Sequence, residues 1–508
     1  MNRRPSLSAS NRLSRHQIGM LIRCACILRP STRVRRSYRE KRSTAQLSAN
    51  LIRRQVSESS LSRPVPTYKK GEHVRTILAF VFVTLMVLPL VGTSAAATGA
   101  SGHRQLLNNV EWCWFSEPRA IHFRGVHNST YFGYVTNAGA ISVGQYDHDT
   151  KNLKTFALGT FEPDDHDTPA INVLSDGRII VFYSRHQLDT ALRYRISGAP
   201  EDITTLGAEH VLTTSGLTTY AQIIYKEPVI VVFYRVTVGA QDLAQRWSCR
   251  ISKDNGVTWG AEIPVFDYGA GEQLYMRSSW RWGVANNSAA DIILSGNPAV
   301  GDAHGVRYCY LYVEGPSGIY VEKPGQVRLL DLNRPNGAIV PGDIPVVYDP
   351  SLNNEVPAWI WDVHATSASY IYCVYATFPS DTDHRYNYAR YNPTTKAFDI
   401  KSEICAAGGH IGDDAEPQYS GGLSLAKRPG MQDTVYASVY SSTSKTWEII
   451  DFTSSNGGTS WVSQALTANS LEKNVRPVGV INGTDDFPVY WEAGDYTSYT
   501  DQTMSMIV

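Results

Sequence analysis

The chain has 508 residues, 43% of them hydrophobic, and 47 basic residues balance 47 acidic ones. That length and apolar content allow a large buried core and exclude a wholly disordered chain. The neutrality is uneven: residues 1–97 hold 18 Lys and Arg against 3 Asp and Glu, and the rest holds 29 against 44. A body that acidic excludes general electrostatic binding of nucleic acid, so an anionic substrate would have to be met by a local basic pocket.

Residues 1–68 are rich in Arg and Ser and carry little apolar periodicity. They read as disordered, or as sequence upstream of the true start codon. Residues 77–90 form the only long apolar run, preceded by Lys69, Lys70 and Arg75 and followed by Ser94-Ala95-Ala96-Ala97. A basic flank, a short apolar core and an Ala-x-Ala-like site make a secretory signal peptide. About 16 apolar residues ending in Pro89 and Gly92 are short for a membrane anchor. The expected organisation is therefore a leader over 1–97 and one secreted domain over 98–508, with no membrane anchor left after cleavage. The five cysteines beyond the leader (113, 249, 309, 373 and 405) are odd in number and widely spaced, which is not a disulfide framework.

The remaining chain is rich in Tyr, Val, Ile, Thr and Trp and lacks a long helical pattern, which points to an all-β fold. Similar hairpins start near Pro118, Thr168, Thr219, Ser278, Pro357, Pro417 and Val475. Their turns are expected at His127-Asn128, Asp176-Gly177, Glu227-Pro228, Asn286-Asn287, Thr366-Ser367, Arg428 to Gly430 and Asn482-Gly483. Seven such units suit a seven-bladed β-propeller, because each blade has an apolar face that only a neighbour can cover. Ser252-Lys253-Asp254-Asn255-Gly256-Val257-Thr258-Trp259 fits the Asp-box pattern Ser-x-Asp-x-Gly-x-Thr-Trp, and residues 454–461 are a degenerate copy. This turn joins outer strands of propeller blades. Its Asp and Gly close the turn and its Trp packs between sheets, so its role is architectural.

Two hairpins carry candidate chemistry. His166 lies ten residues before Asp176 and His186 ten after it, so antiparallel pairing about the Asp176-Gly177 turn brings both imidazoles to one end of a sheet. In the next hairpin Tyr220 and Arg235 are symmetric about Glu227-Pro228 and should face each other. The four side chains would converge if adjacent blades present equivalent strand ends on one face. Arg supplies a fork suited to a carboxylate, and Tyr and His can move protons. No Ser-His-Asp order, nucleotide loop or His-Glu-x-x-His is present. The set fits proton abstraction beside a carboxylate, with Arg235 neutralising a uronate so that the C5 proton can be removed and the O4 bond broken by β-elimination. Tyr275 and Arg277 precede the fourth hairpin and are candidates for substrate binding. His384 with Cys405 and His410 could hold a structural zinc, although the spacing matches no standard pattern.

Three segments carry a resemblance: Tyr131-Phe132-Gly133-Tyr134, residues 164–170, and Tyr183-Ser184-Arg185-His186. With Phe233-Tyr234-Arg235, residues 383–386 and Tyr419-Ser420-Gly421-Gly422, they resemble the BNR-repeat polysaccharide lyases, notably the ulvan lyases. The resemblance spans about residues 105–500. It implies a seven-bladed propeller that cleaves ulvan, a sulfated rhamnose–uronate polymer, using two histidines, a tyrosine and an arginine. These match His166, His186, Tyr220 and Arg235, with Tyr275 as a further substrate contact. It requires no catalytic cofactor, and a structural zinc or calcium is compatible with it. The partner expected is an anionic polysaccharide, met by a monomer. Tyr220 and His166 would share the base and acid roles, with His186 assisting. Two alternatives stand beside this reading: a sialidase-like hydrolase, for which Arg119, Arg235 and Arg277 would have to cluster, and a non-catalytic carbohydrate-binding propeller.

Overall fold

The computed structural model describes residues 102–508, apart from 240–243, 282–287, 301–303, 366–369, 413–415 and 432, and the backbone of two-residue strands at Thr93–Ser94 and Ala97–Thr98. The basic leader and its apolar core at 77–90 lie outside the described residues, as do the turns expected at 286–287 and 366–367. Among the described residues, no helix is long and apolar enough to cross a membrane, and helical structure is limited to three-residue 3-10 turns. The fold is all-β and propeller-like.

The chain is built from four-stranded antiparallel meanders in sequence order. The first runs Ala120–Arg124, Asn128–Thr136, Ala140–Asp147 and Leu153–Thr160. The second runs Ala170–Val173, Ile179–Tyr183, Ala191–Ile196 and His210–Thr213. The third runs Leu217–Lys226, Val229–Val238, Ala244–Ser252 and Ile263–Phe266. Sheets opening with Leu274–Trp280, Ala358–His364 and Leu423–Leu425 follow. The last strands, Lys473–Thr484, Phe487–Ser498 and Asp501–Ile507, are joined by Arg104–Asn108 from the other end of the domain, which pairs Gln105 with Ile507. Lys473–Thr484 also touches the first sheet in parallel register, Ile481 against Ile121.

The second strands are continuous apolar runs because both faces of each sheet are covered. Every residue of Ile179–Tyr183 is buried, as are nine of the ten in Val229–Val238. The core is strongly aromatic; Trp114 stacks on Trp361 with centroids 4.3 Å apart.

Each hairpin start read from the sequence falls at or near the first strand of a meander. One turn is displaced: Asn482-Gly483 lies inside Lys473–Thr484, where Asn482 takes a φ of 54°, and the reversal comes at Asp485-Asp486. Asn482 supplies the left-handed backbone of a bulge rather than of a turn.

Both Asp-boxes lie between the third and fourth strands of their sheets. In the first, the Ser252 hydroxyl donates to Asp254 at 2.7 Å and accepts the Gly256 N–H at 2.8 Å. Asp254 accepts the Thr258 N–H at 2.9 Å. Trp259 is only partly buried and meets the edges of Phe182 and Tyr194 of the preceding sheet at 5.4 and 5.6 Å. The degenerate copy repeats this geometry with Asn456 in place of Asp, and Trp461 meets Tyr388 at 5.0 Å. The five cysteines of the described region are unbridged, and four are buried.

Candidate active site

The second hairpin pairs Phe182 with Ala170 and Ile179 with Val173, and this register extrapolates to His166 opposite His186. His166 sits in the 3-10 turn Asp165–Asp167, capped by Asp164, whose Oδ1 accepts the His166 backbone N–H at 2.9 Å. The loop is tied to the strand-free segment before the first sheet, because Asp165 O accepts the Cys113 N–H at 3.1 Å. His186 follows the partner strand by three residues. Its neighbour Gln187, at a φ of 56°, is held by the Thr237 hydroxyl at 2.7 Å and the Gln245 amide at 3.1 Å.

The two imidazoles stack face to face, with centroids 4.0 Å apart and planes 4° from parallel. One carboxylate serves both. Asp164 Oδ1 lies 2.7 Å from His166 Nδ1, and Asp164 Oδ2 lies 2.8 Å from His186 Nδ1. His166 Nδ1 is also 2.9 Å from Asp165 Oδ1. His166 is buried, whereas the His186 side chain keeps 17% of its exposure. Tyr499 closes the pair edge-on, 4.9 Å from the His166 ring. The Tyr419 hydroxyl stands 3.5 Å from His166 Nε2.

These contacts split the charge states. Burial opposes ionisation of Asp164, yet the two histidines hold its carboxyl below the usual carboxylate range. Burial also works against a charged His166, but Asp164 and Asp165 together hold it well above the usual histidine range. His186 is pushed down to about 4, first by burial and then by the His166 imidazolium stacked on it. A cationic ring therefore lies on a neutral one. With its Nδ1–H given to Asp164, His186 keeps a lone pair on Nε2, toward which the Gln187 amide nitrogen donates at 3.3 Å.

Tyr220 and Arg235 come together next to this pair, but not by the expected register. Arg235 pairs with Thr219, and a bulge between Thr219 and Gln222 leaves Tyr220 out of the ladder at a φ of 63°. The bulge swings the phenol toward the histidines, 5.7 Å from His166 ring to ring. The Arg235 guanidinium is sandwiched between Tyr220 and Tyr275, 4.6 and 4.7 Å from the ring centroids. Arg235 and Tyr220 are both buried. The Tyr220 hydroxyl and Arg235 Nε and Nη1 have no hydrogen-bond partner. Burial holds the Tyr220 phenol well above the usual range, so it keeps its proton.

Arg277 does not belong to this site, which corrects its assignment to substrate binding. It is fully buried, with Nη2 2.9 Å from Glu117 and 3.1 Å from Asp362, and Nη1 donating to the Trp114 and Ser116 carbonyls. Its side chain points from the inner strand into an ion cluster, and its fork is already filled. Arg119 lies in the same cluster, 3.4 Å from Glu117, so the arginine trio that a sialidase-like reading needs is not assembled around Arg235.

Nor does the suggested zinc set form. His384 bonds Ser420 at 2.8 Å, and Cys405 is paired in register with Tyr386. Among the described residues, the groups whose ligand atoms come close enough to share an ion are Asp164, His166 and His186, and Cys113, Asp165 and His166. A cation between the histidines would have to displace both hydrogen bonds to Asp164, so these residues fit a proton-sharing pair better than a metal ligand set. The sequence reading quoted Tyr419 only within a motif of the resemblance, without a role, and missed Tyr499 and Arg476. Arg476 anchors Asp165 Oδ2 at 2.5 Å from behind. Tyr499 lies in the turn before the last strand and Arg476 within Lys473–Thr484, both far from His166 in sequence and without a local signal. Asp164 did carry one, an acidic cap two residues before a histidine.

The sequence profile of the BNR repeat-containing family matches residues 129–390, just over half of the chain, and the chain belongs to that family. No curated protein matches it. Among solved structures, an ulvan lyase described as a new family of polysaccharide lyase is similar, at 14% identity and a TM-score of 0.52, over 82% of this chain and 95% of that one. A lectin from Burkholderia pseudomallei matches at 11% identity and a TM-score of 0.43, over 80% and 96%. An α-L-arabinofuranosidase from Fusarium graminearum matches at 10% and 0.37, over 80% and 98%. At these identities the likeness is one of fold.

Proposed function

We propose that the protein is a secreted polysaccharide lyase that cleaves a uronate-containing, sulfated glycan, with ulvan as the first substrate to test, by β-elimination. The observation that carries this reading is the buried Arg235 guanidinium, whose Nε and Nη1 lack a hydrogen-bond partner, beside Tyr220 and the stacked His166–His186 pair. We read the scaffold as seven blades. The first strands of successive meanders touch in cyclic order, the last against the first, and Arg104–Asn108 completes the final sheet.

In this mechanism Arg235, helped by the His166 imidazolium, receives the uronate carboxylate and draws off its charge, which acidifies the C5 hydrogen. His186 Nε2 takes that proton. The C5–H electron pair becomes the C4=C5 double bond, and the C4–O4 bond breaks. The leaving oxygen takes a proton from the Tyr220 hydroxyl. The charge states support moving the base role from the Tyr220 and His166 named in the sequence reading to His186, because the His166 imidazolium has no free lone pair and the Tyr220 phenol keeps its proton. Tyr275 positions Arg235 through its ring. The site as drawn needs no cofactor, and one copy of the chain suffices.

The test is ultraviolet-monitored incubation of the purified mature protein with ulvan, pectin, alginate and glycosaminoglycans. A lyase produces the absorbance of an unsaturated uronate. New reducing ends without that absorbance would mark a hydrolase, and binding without cleavage would mark a carbohydrate-binding propeller.

A further inference from the structure

His186 Nε2, the atom that takes the proton in the proposed mechanism, is met in the resting site by the next side chain in sequence. The amide nitrogen of Gln187 lies 3.3 Å from it. The direction of that bond follows from the neighbours. Asp164 Oδ2 takes the Nδ1–H of His186 at 2.8 Å, so the neutral ring offers an acceptor at Nε2 and the amide must present an N–H to it. This leaves Gln187 Oε1 to accept from the Thr237 hydroxyl at 2.7 Å and from the Gln245 amide at 3.1 Å. Thr237 and Gln245 are cross-strand partners in the third sheet, and both are buried. Two donors on Oε1 keep the amide from turning over.

The backbone is fixed as well. The loop after Tyr183 is stitched to the third sheet in both directions. The Gln187 N–H donates to the Thr218 carbonyl at 3.1 Å, and the Thr218 N–H donates to the Asp189 carbonyl at 2.9 Å. Gln187 itself stands at a φ of 56°, a left-handed conformation that glycine adopts without strain. A side chain kept at a strained position, with its own amide tied on both sides, points to a use for that amide. The other groups that face His186 are Asp164, the His166 imidazolium stacked on it, the Tyr499 ring from the last hairpin and, at longer range, Arg235.

We propose, on the reading of His186 as the base, that Gln187 is its positioning residue: the amide, locked by Thr237 and Gln245, holds the His186 ring with Nε2 turned out as a proton acceptor. An N–H directed at Nε2 favours the neutral ring and opposes an imidazolium there, so it also drives the captured proton from Nε2 to solvent after each turnover. At 3.3 Å the contact is long, and an incoming C5–H displaces it at little cost.

Histidine-selective NMR titration tests this, beside pH–rate profiles for formation of unsaturated product. Gln187→Leu removes the donor at similar volume, and His186 should titrate about 0.5–1 pH unit above its wild-type value. Gln187→Glu sets a carboxylate against Nε2 and should raise it by at least about one unit. Gln187→Gly removes the donor while relieving the backbone. Its melting temperature should stay within a few degrees of wild type, and His186 should shift as in the leucine variant. The acid limb of the rate should move upward with each of these shifts. A His186 titration unchanged from wild type in both Gln187→Leu and Gln187→Glu overturns the inference, whether or not product forms. If the shifts appear but the wild type releases no unsaturated product, Gln187 still positions His186, and it is the elimination reading that falls.

Discussion

The imidazoles of His166 and His186 lie 4.0 Å apart in parallel planes, close enough that both cannot comfortably be cations, and Asp164 accepts from each. The pair should therefore titrate as a unit, with the second proton refused until acid pH. His186, held at about 4, lies below its unfolded value of 6.5, so folding favours its neutral form. Its contribution to stability is present above pH 6.5 and is lost as pH falls toward 4. His166 runs the other way: its contribution is complete below 6.5 and disappears as pH rises through its raised value. The acid limb of the cleavage rate should fall near pH 4 rather than 6.5. Histidine NMR titration should show the same, and His166→Ala should move His186 upward by removing the adjacent cation. A His186 that titrates near 6.5 in the wild type would refute the split.

Asp164→Asn tests the carboxylate that orients both rings. The amide offers one acceptor and one donor where two acceptors are needed, so one ring loses its tautomer and its orientation. The turnover number is expected to drop about 10²–10⁴-fold, with little change in KM, because Asp164 does not face the proposed substrate. The His166 resonance should also shift toward an ordinary pKa. A variant that keeps its rate would show that the bridge is only structural.

How far the sequence reached follows from which contacts are local. The His166–His186 approach was legible because a two-residue turn at Asp176-Gly177 fixes the register of the short hairpin that carries both rings. Tyr220 and Arg235 were legible as neighbours but not in their pairing, since a one-strand bulge shifts register without a glycine to mark it; Tyr220 itself takes the left-handed conformation. Arg277 looked like a substrate ligand because a cation near aromatics reads the same whether it points outward or into an ion cluster. That choice depends on Glu117 and Asp362, 160 and 85 residues away in sequence. The Asp-boxes were legible in full because their hydrogen bonds close within eight residues.

Arg277→Met separates the two readings of that residue. Removing the guanidinium leaves Glu117 and Asp362 with fewer buried partners, a loss typically of about 3–5 kcal/mol. A large fall in melting temperature and soluble yield is expected, with an unchanged KM for any protein that does fold. A raised KM at wild-type stability would return Arg277 to the substrate site.

Trp259 and Trp461 stand between neighbouring sheets as edge contacts, and neither is fully buried. Each Trp→Ala change should cost less than the roughly 3–5 kcal/mol of a fully buried aromatic. A lower melting temperature with normal cleavage at low temperature is the expected result. An unchanged melting temperature in both variants would contradict the Asp-box as an inter-sheet wedge.

Arg235 is the residue on which the elimination reading turns, and its burial between Tyr220 and Tyr275 dictates how it must be tested. Arg235→Ala would remove packing as well as charge, so a loss of activity there is ambiguous. Arg235→Lys keeps a cation and most of the stem but replaces the planar fork with a point charge, which stacks less well on two rings and cannot bind a carboxylate through two parallel hydrogen bonds. Its melting temperature should stay within a few degrees of wild type. Formation of unsaturated product should fall by at least about 10²-fold, as for loss of one transition-state donor. Lysine at near-wild-type rate would mean that the fork does not hold the carboxylate. The unpartnered Nε and Nη1 atoms would then need another explanation.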